Sequence, residues 1–203
     1  MGRYFAGENG VGIWGDSMIQ GRKVALREKR LSDASNDYAW RCDPELARLD
    51  GAAPLNMPFS EFMLNYADEL YYPSPTRRRF AIDNLKGEHI GNCMYYDIDE
   101  RRKQAELGIL IGDRKYWDKG YGTDAVITMV NHIFESTPLQ RVYLSTLDWN
   151  LRAQKSFTKC GFTPCGYLNR DGNKFLIMEI WNHLQQAEEA TLSSQPGKAK
   201  RAK

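Results

Sequence analysis

The stretch ILIGDRKYWDKGYGTDAV, residues 109–126, constrains the fold of this chain more than any other. An apolar run ends at Ile111, a short polar loop follows, and Gly120 and Gly122 stand where a helical pattern begins. A strand that passes through a tight loop into a helix belongs to a sheet covered by helices. The first four amide N–H groups of such a helix have no acceptor of their own, and the peptide dipoles make that end partly positive. Two glycines remove two Cβ atoms there, so a diphosphate could lie against the amides without collision. Arg114, Lys115 and Lys119 add charge at the mouth. The residues alone leave two readings open, a phosphate site and a plain strand-to-helix turn. A P-loop is excluded, because it needs Lys after its last glycine and Lys119 precedes Gly120.

The remaining pattern supports an α/β domain. RKVALRE alternates as a short strand with Val24 and Leu26 on one face. A helix is expected from Ser32 or Asp33, ended or redirected by Pro44. Pro54 and Pro58 bracket a loop before a second helix with Phe59, Phe62, Met63, Tyr66 and Leu70 at helical spacing. RRRFAID, HIGNCMYYDID and KQAELGILIG then read as successive strands. A helix from 122 to about 135 carries Ala125, Val126, Met129, Val130 and Ile133 on a wide apolar face. QRVYLSTLD alternates as a strand, LRAQKSFTKCG is a helix stopped by Gly161, and residues 162–181 form a hairpin with RDGN at its tip. Helices that connect strands favour α/β, while the hairpins argue against an all-parallel sheet.

A chain of 203 residues fits one compact domain. We place it at 21–184, between an irregular or flexible extension at 1–20 and a disordered basic tail at 185–203. The extension contains GVGIWG, residues 10–15, which fits a dinucleotide fingerprint by chance: no good strand precedes it and no good helix follows. The formal charge is +2, and the tail carries four basic and two acidic residues, so the body is near neutral and a nucleic-acid partner is not expected. Cys42, Cys93, Cys160 and Cys165 form no CxxC pair and lack a histidine at zinc-binding spacing, which points to reduced thiols in a cytoplasmic protein without a metal. No apolar run approaches the roughly 20 residues of a membrane span.

Several stretches together resemble the GNAT superfamily of N-acyltransferases. The family's coenzyme loop, Q/R-x-x-G-x-G/A, falls on Trp117, Gly120 and Gly122, with Trp first as in the branch of ribosomal-protein alanine acetyltransferases. AELGILIG (105–112) resembles the preceding strand, NLRAQKSFTKCGF (150–162) the N-x-x-[SA]…K-x-G-F segment, and RKVALREKRLSDA the first strand and helix. The resemblance spans about residues 22–182. It implies a single domain with a mixed, mostly antiparallel sheet of about seven strands, helices on both faces, and fourth and fifth strands that splay apart. Acetyl-coenzyme A would lie in that gap. It would be held by backbone near Gly108, Leu110 and Ile111, by the segment Lys115, Trp117, Asp118, Lys119, Gly120, Tyr121, Gly122 and Thr123, and by Asn150 and Ser156.

The resemblance implies direct acetyl transfer to a primary amine, of a peptide N-terminus or a small molecule. Amine attack on a thioester needs a base and a stabilised oxyanion. Glu106 is the candidate base, with Asp148, Asp97 and Asp99 as rivals, and an N–H near Leu110 or Ile111 is the candidate oxyanion donor. Many relatives place a Tyr acid where this chain has Phe157, which cannot donate a proton; a non-catalytic acyl-coenzyme A sensor or partner domain is therefore the alternative. Asn150 has a helix N-cap as its plain alternative. Cys160 reads as a packed thiol rather than a nucleophile. Trp40, Tyr95, Tyr96 and Asp97 are the candidate acceptor wall, and a homodimer fits the family habit.

Overall fold

A computed structural model describes residues 18–182. The sequence at 1–17, with the GVGIWG hexapeptide, together with His183 and the tail from 185, lies outside the described residues. β1 (Ile19–Gln20) and β2 (Val24–Glu28) precede a 3-10 turn (Leu31–Asp33), α1 (Ala34–Cys42), α2 (Pro44–Leu49) and α3 (Phe59–Tyr71). β3 (Arg77–Asn84), β4 (His89–Asp99) and β5 (Gln104–Ile111) follow in succession. A second 3-10 turn (Arg114–Tyr116) leads to α4 (Tyr121–Ser136), β6 (Arg141–Leu147), α5 (Leu151–Lys159), β7 (Thr163–Arg170) and β8 (Asn173–Trp181).

These strands form one sheet in the order β1-β2-β3-β4-β5-β6-β8-β7, antiparallel everywhere except between β5 and β6. The sheet therefore has eight strands, not seven. The extra one, β1, is two residues long, too short to show a periodicity, and it lies inside the segment read as an irregular extension.

Both faces of the sheet are covered. On one, Val24, Leu26, Ile82, Cys93, Tyr95 and Leu107 pack against the Ala125, Val126, Met129, Val130 and Ile133 stripe of α4, as its period requires. Asp124 ties that helix to the sheet, accepting from the Lys23 and Val24 amides at 2.7 and 3.1 Å. On the other face, Arg27 of β2 bridges Asp33 through both terminal nitrogens (2.8 Å each) and Asp83 through Nε (2.7 Å). Lys29 meets Asp37 of α1 at 2.7 Å, and Asn92 of β4 donates to the same carboxylate at 2.7 Å. These buried ion pairs moor α1 and, behind it, α2. Pro44 does redirect the chain: α2 starts on it, with the Asp43 carboxylate accepting from the Glu45 and Leu46 amides. At the distal hairpin, Asp171 and Gly172 both have positive φ, the backbone that a two-residue hairpin turn demands.

Candidate active site

The decisive feature is where β5 and β6 stop pairing. Gln104, Ala105 and Glu106 face Arg141, Val142 and Tyr143, and no pair follows. Beyond Glu106 the strands part, so the remaining backbone of β5 has a neighbour on the β4 side only. Gly112 donates to Ile90 O of β4 at 3.0 Å. The two-residue alternation of an antiparallel ladder then aims the Leu110 amide at β4 as well, and the Ile109 and Ile111 amides at the opened side. Of the two expected backbone donors, Ile111 is therefore the one that faces the gap. Its carbonyl does so too, and it accepts from Trp117 Nε1 at 2.7 Å.

A cleft of about 490 Å³ occupies this gap. Ile109, Leu110 and Ile111 form one wall, Trp117, Asp118, Gly120, Gly122 and Thr123 the next, and Asn150, Ala153, Ser156 and Phe157 the third; Leu46, Leu49 and Asp50 close the far side. Nine of the thirteen residues expected to hold the coenzyme thus converge on one cavity, leaving Gly108, Lys115, Lys119 and Tyr121 outside its wall. Tyr121 turns its ring onto Tyr116, centroid to centroid 4.8 Å, and presents only its backbone to the helix start.

Gly120 caps α4 with φ +82°, and no side chain caps the helix. The first bond in the helix is from the Asp124 amide to Gly120 O at 3.0 Å. Among the described residues the Tyr121, Gly122 and Thr123 amides have no acceptor, because Asp124, the acid of the first turn, is spent on β2. An uncapped helix start opening onto a cavity has the free donors and the dipole end that suit an anion.

Two of the three loop cations expected there are taken up by acids. Arg114 is paired with Asp43 (2.7 Å) and Glu45 (2.8 Å), and Lys115 with Asp113 (3.1 Å). Lys119 Nζ donates back to Lys115 O at 2.7 Å. The cations on the cleft are Arg152, Lys155 and Lys159, which share one face of α5 at helical spacing and form no ion pair among the described residues. The Arg152 guanidinium lies 3.9 Å from the centre of the Trp117 ring. Trp117 therefore braces the loop twice, through Ile111 and through Arg152, and also lines the cavity.

The polar groups of α5 are arranged as follows. Asn150 is its N-cap, accepting from the Ala153 amide at 3.3 Å, and it lines the cleft as well. Ser156 and Thr123 share a hydrogen bond of 2.9 Å across the α4–α5 contact. Phe157 is buried against Phe162 and closes the cleft with an apolar ring. Burial pushes the Cys160 thiol up to about 11, so it stays protonated at neutral pH and is no nucleophile.

Glu106 sits half-buried at the vertex of the split, not in the cleft wall. Its cross-strand neighbours are Tyr96 and Tyr143. Burial, and then the Glu106 carboxylate beside it, push the Tyr96 phenol well above its ordinary range. Asp97 belongs to the same neighbourhood, at a bulge of β4 with φ +50°. Tyr95 does not: strand alternation turns it to the opposite face, into the core beneath α4, where it stacks on Phe80. Trp40 lies over Gly112 so closely that any side chain there would strike its indole. It therefore packs the end of β5 and is not part of the cleft wall. Asp99 caps a turn through the Arg101 and Arg102 amides, and Asp148 is 3.9 Å from Lys174, which leaves Glu106 and Asp97 as the acids at the vertex. Asp50 and Lys155 carried no motif and could be found only from the folded cavity, while Lys159 stands first in the K-x-G-F segment.

A sheet split beside an uncapped helix start, with cations along the facing helix, defines a coenzyme-binding acyltransferase fold. The acetyltransferase (GNAT) domain family matches residues 23–163, more than two thirds of the chain, and the chain belongs to that family. It is an acetyl-coenzyme A-dependent N-acetyltransferase. Among curated proteins it is similar to the uncharacterized N-acetyltransferase p20 of Bacillus licheniformis, 27% identical over 153 residues (75% of this chain, 85% of that protein). It is also 26% identical over 144 residues to the spermine/spermidine N(1)-acetyltransferase of Bacillus subtilis, covering 64% of this chain and 91% of that one. Among solved structures, the spermidine N-acetyltransferase of Vibrio cholerae, in complex with coenzyme A and spermine, superposes with a TM-score of 0.71 at 20% identity, over 79% of this chain and 96% of that one. These relatives overturn the expected kinship with ribosomal-protein alanine acetyltransferases. The Trp that suggested that branch is explained by its bond to Ile111 and its stack under Arg152.

Proposed function

We propose that this chain transfers the acetyl group to a primary amine of a small polycation of the spermidine kind. The observation that carries this reading is the polarity of the cleft. Its α5 wall is cationic, through Arg152, Lys155 and Lys159, while the acids are Asp50 at the end of α2 and Asp118 in the loop, with Glu106 and Asp97 beside Tyr96 at the vertex. Such a site separates an anionic donor from a cationic acceptor. The kinship with the spermine/spermidine enzymes points the same way.

In this reading the Tyr121, Gly122 and Thr123 amides, with the α5 cations, receive the coenzyme's diphosphate. The Ile109 and Ile111 amides hold its pantetheine arm as a missing strand would. Bound acetyl-coenzyme A would supply a thioester whose carbonyl carbon the amine nitrogen attacks, the C–S bond breaking and coenzyme A leaving as the thiolate. An amide of the opened β5 edge steadies the oxygen as charge develops on it. Glu106 takes the amine's proton through water. With Phe157 in place of an acid, the thiolate departs without a dedicated donor from α5 and takes its proton from solvent.

Glu106→Gln is expected to lower kcat at least about tenfold while leaving acetyl-coenzyme A affinity unchanged. Turnover at the wild-type rate across the pH range would remove Glu106 from that role. The substrate reading itself is tested by following thiol release with a panel of spermidine, spermine, an aminoglycoside and a peptide with a free N-terminus, each product being weighed by mass spectrometry. Spermidine and spermine are expected to be acetylated with the highest kcat/KM. A peptide or aminoglycoside preferred over both would refute the assignment.

A further inference from the structure

We propose that Asp50 is the residue that selects polycationic acceptors, holding the ammonium group that does not react. The inference rests on the acetyl-transfer reading above and deepens it. Among the described residues the ion-paired acids have evident work: Asp33 and Asp83 hold Arg27, Asp37 holds Lys29, Asp43 holds Arg114, and Glu179 holds Arg141. The Asp50 side chain makes no hydrogen bond and no ion pair among them, yet it stands in the wall of the cleft.

Its position is fixed by the backbone. Asp50 is the C-cap of α2, and its amide donates to Leu46 O and Ala47 O at 3.0 and 3.1 Å. The next residue, Gly51, turns with φ +70° and lies against Phe175 of β8, where a Cβ would come within 2.6 Å of the ring. The helix end is thus pinned to the sheet, and the carboxylate is presented beside Leu46 and Leu49, two apolar walls suited to a methylene chain. The cleft leaves it open to a ligand while protein crowds it from behind. This crowding raises the carboxyl above its usual range, against the more distant pull of Arg41 on α1 and Arg170 on β7. A carboxylate that lines a cleft, is open to solvent and has no partner of its own is free to receive a cation. Spermidine-like chains carry one ammonium to react and others to be held, and the α5 cations exclude those from the opposite side.

The test compares a linear diamine with the monoamine of equal length in wild type, Asp50→Asn and Asp50→Glu, with kcat and KM resolved for each amine. Wild type is expected to favour the diamine in kcat/KM. In Asp50→Asn that preference should fall at least about tenfold, through the KM of the diamine, the size of one charge pair held in a partly desolvated site. Asp50→Glu, which keeps the charge, should retain most of it. Coenzyme A affinity by calorimetry reports that each variant is folded and its donor site intact. A preference unchanged in Asp50→Asn overturns the role of Asp50 while leaving the acetyltransferase reading standing, and equal loss in Asn and Glu marks a structural role and overturns it too. Wild type that acetylates no amine overturns the proposed function and this assignment with it.

Discussion

Arg27→Ala is expected to destabilise the protein by about 3–5 kcal/mol, the range found when one partner of a buried ion pair is removed. Arg27 is 8% exposed and its guanidinium is shared between Asp33 and Asp83, themselves 3% and 6% exposed. The alanine variant leaves both carboxylates desolvated and without their main cation. Urea unfolding at neutral pH measures the loss as a drop in midpoint. The effect also has a sign in pH. Burial alone would raise Asp33, but the hydrogen bonds from Arg27 and the Arg30 amide outweigh it and hold that carboxyl below its ordinary range. A depressed carboxyl stabilises the fold above its unfolded pKa, and this stability is lost as pH falls through the lower, folded value. The gap between wild type and Arg27→Ala should therefore be full at neutral pH and narrow in strong acid. A second variant, with Arg27, Asp33 and Asp83 all replaced by apolar residues of similar size, should recover much of the stability, since only a broken network is penalised in full. A midpoint unmoved in Arg27→Ala would mean that the ion pairs do not secure α1, and with it the α2 wall of the cleft.

What could be read before folding followed from local physics. The α4 stripe from Ala125 to Ile133 repeats at helical period, and the glycines at 120 and 122 mark a turn whose left-handed φ at Gly120 a side chain would resist. Pro44 and the Asp171–Gly172 pair act on neighbouring residues only, so they too were legible. The misplaced residues depend on partners far along the chain. Arg114 faces the anion site in sequence but pairs with Asp43 and Glu45, some seventy residues earlier. Tyr95 and Tyr96 were read together as an acceptor wall, yet adjacent strand residues must point to opposite faces. Helices cover both faces of this sheet, so β4 shows no polar side from which the parity could be told. Asp50 lies in RLDGAAP, a loop without any signal, and only the packing of Gly51 on Phe175 brings it to the cleft.

The glycine turn itself supports the second large effect. Gly122→Val is expected to weaken acetyl-coenzyme A binding by about 100-fold, the equivalent of losing two charge-assisted hydrogen bonds at roughly 1.5 kcal/mol each. A Cβ at Gly122 would meet only Ile111 Cγ1, at 3.5 Å, so the fold accepts it; the branched side chain instead enters the cleft beside the free amides. Gly120 is the poorer position to test, since its φ of +82° would strain any substitute and confuse loss of binding with loss of fold. Gly122→Ala, with one methyl, should fall between wild type and valine. Calorimetric titration with coenzyme A measures the affinities, and thermal unfolding of the unliganded variants controls for stability, where a helical valine costs less than about 1 kcal/mol. An unchanged dissociation constant in Gly122→Val would show that the diphosphate does not lie on the α4 amides. The cations of α5 would then serve some other anion, and the split between β5 and β6 would need a different occupant.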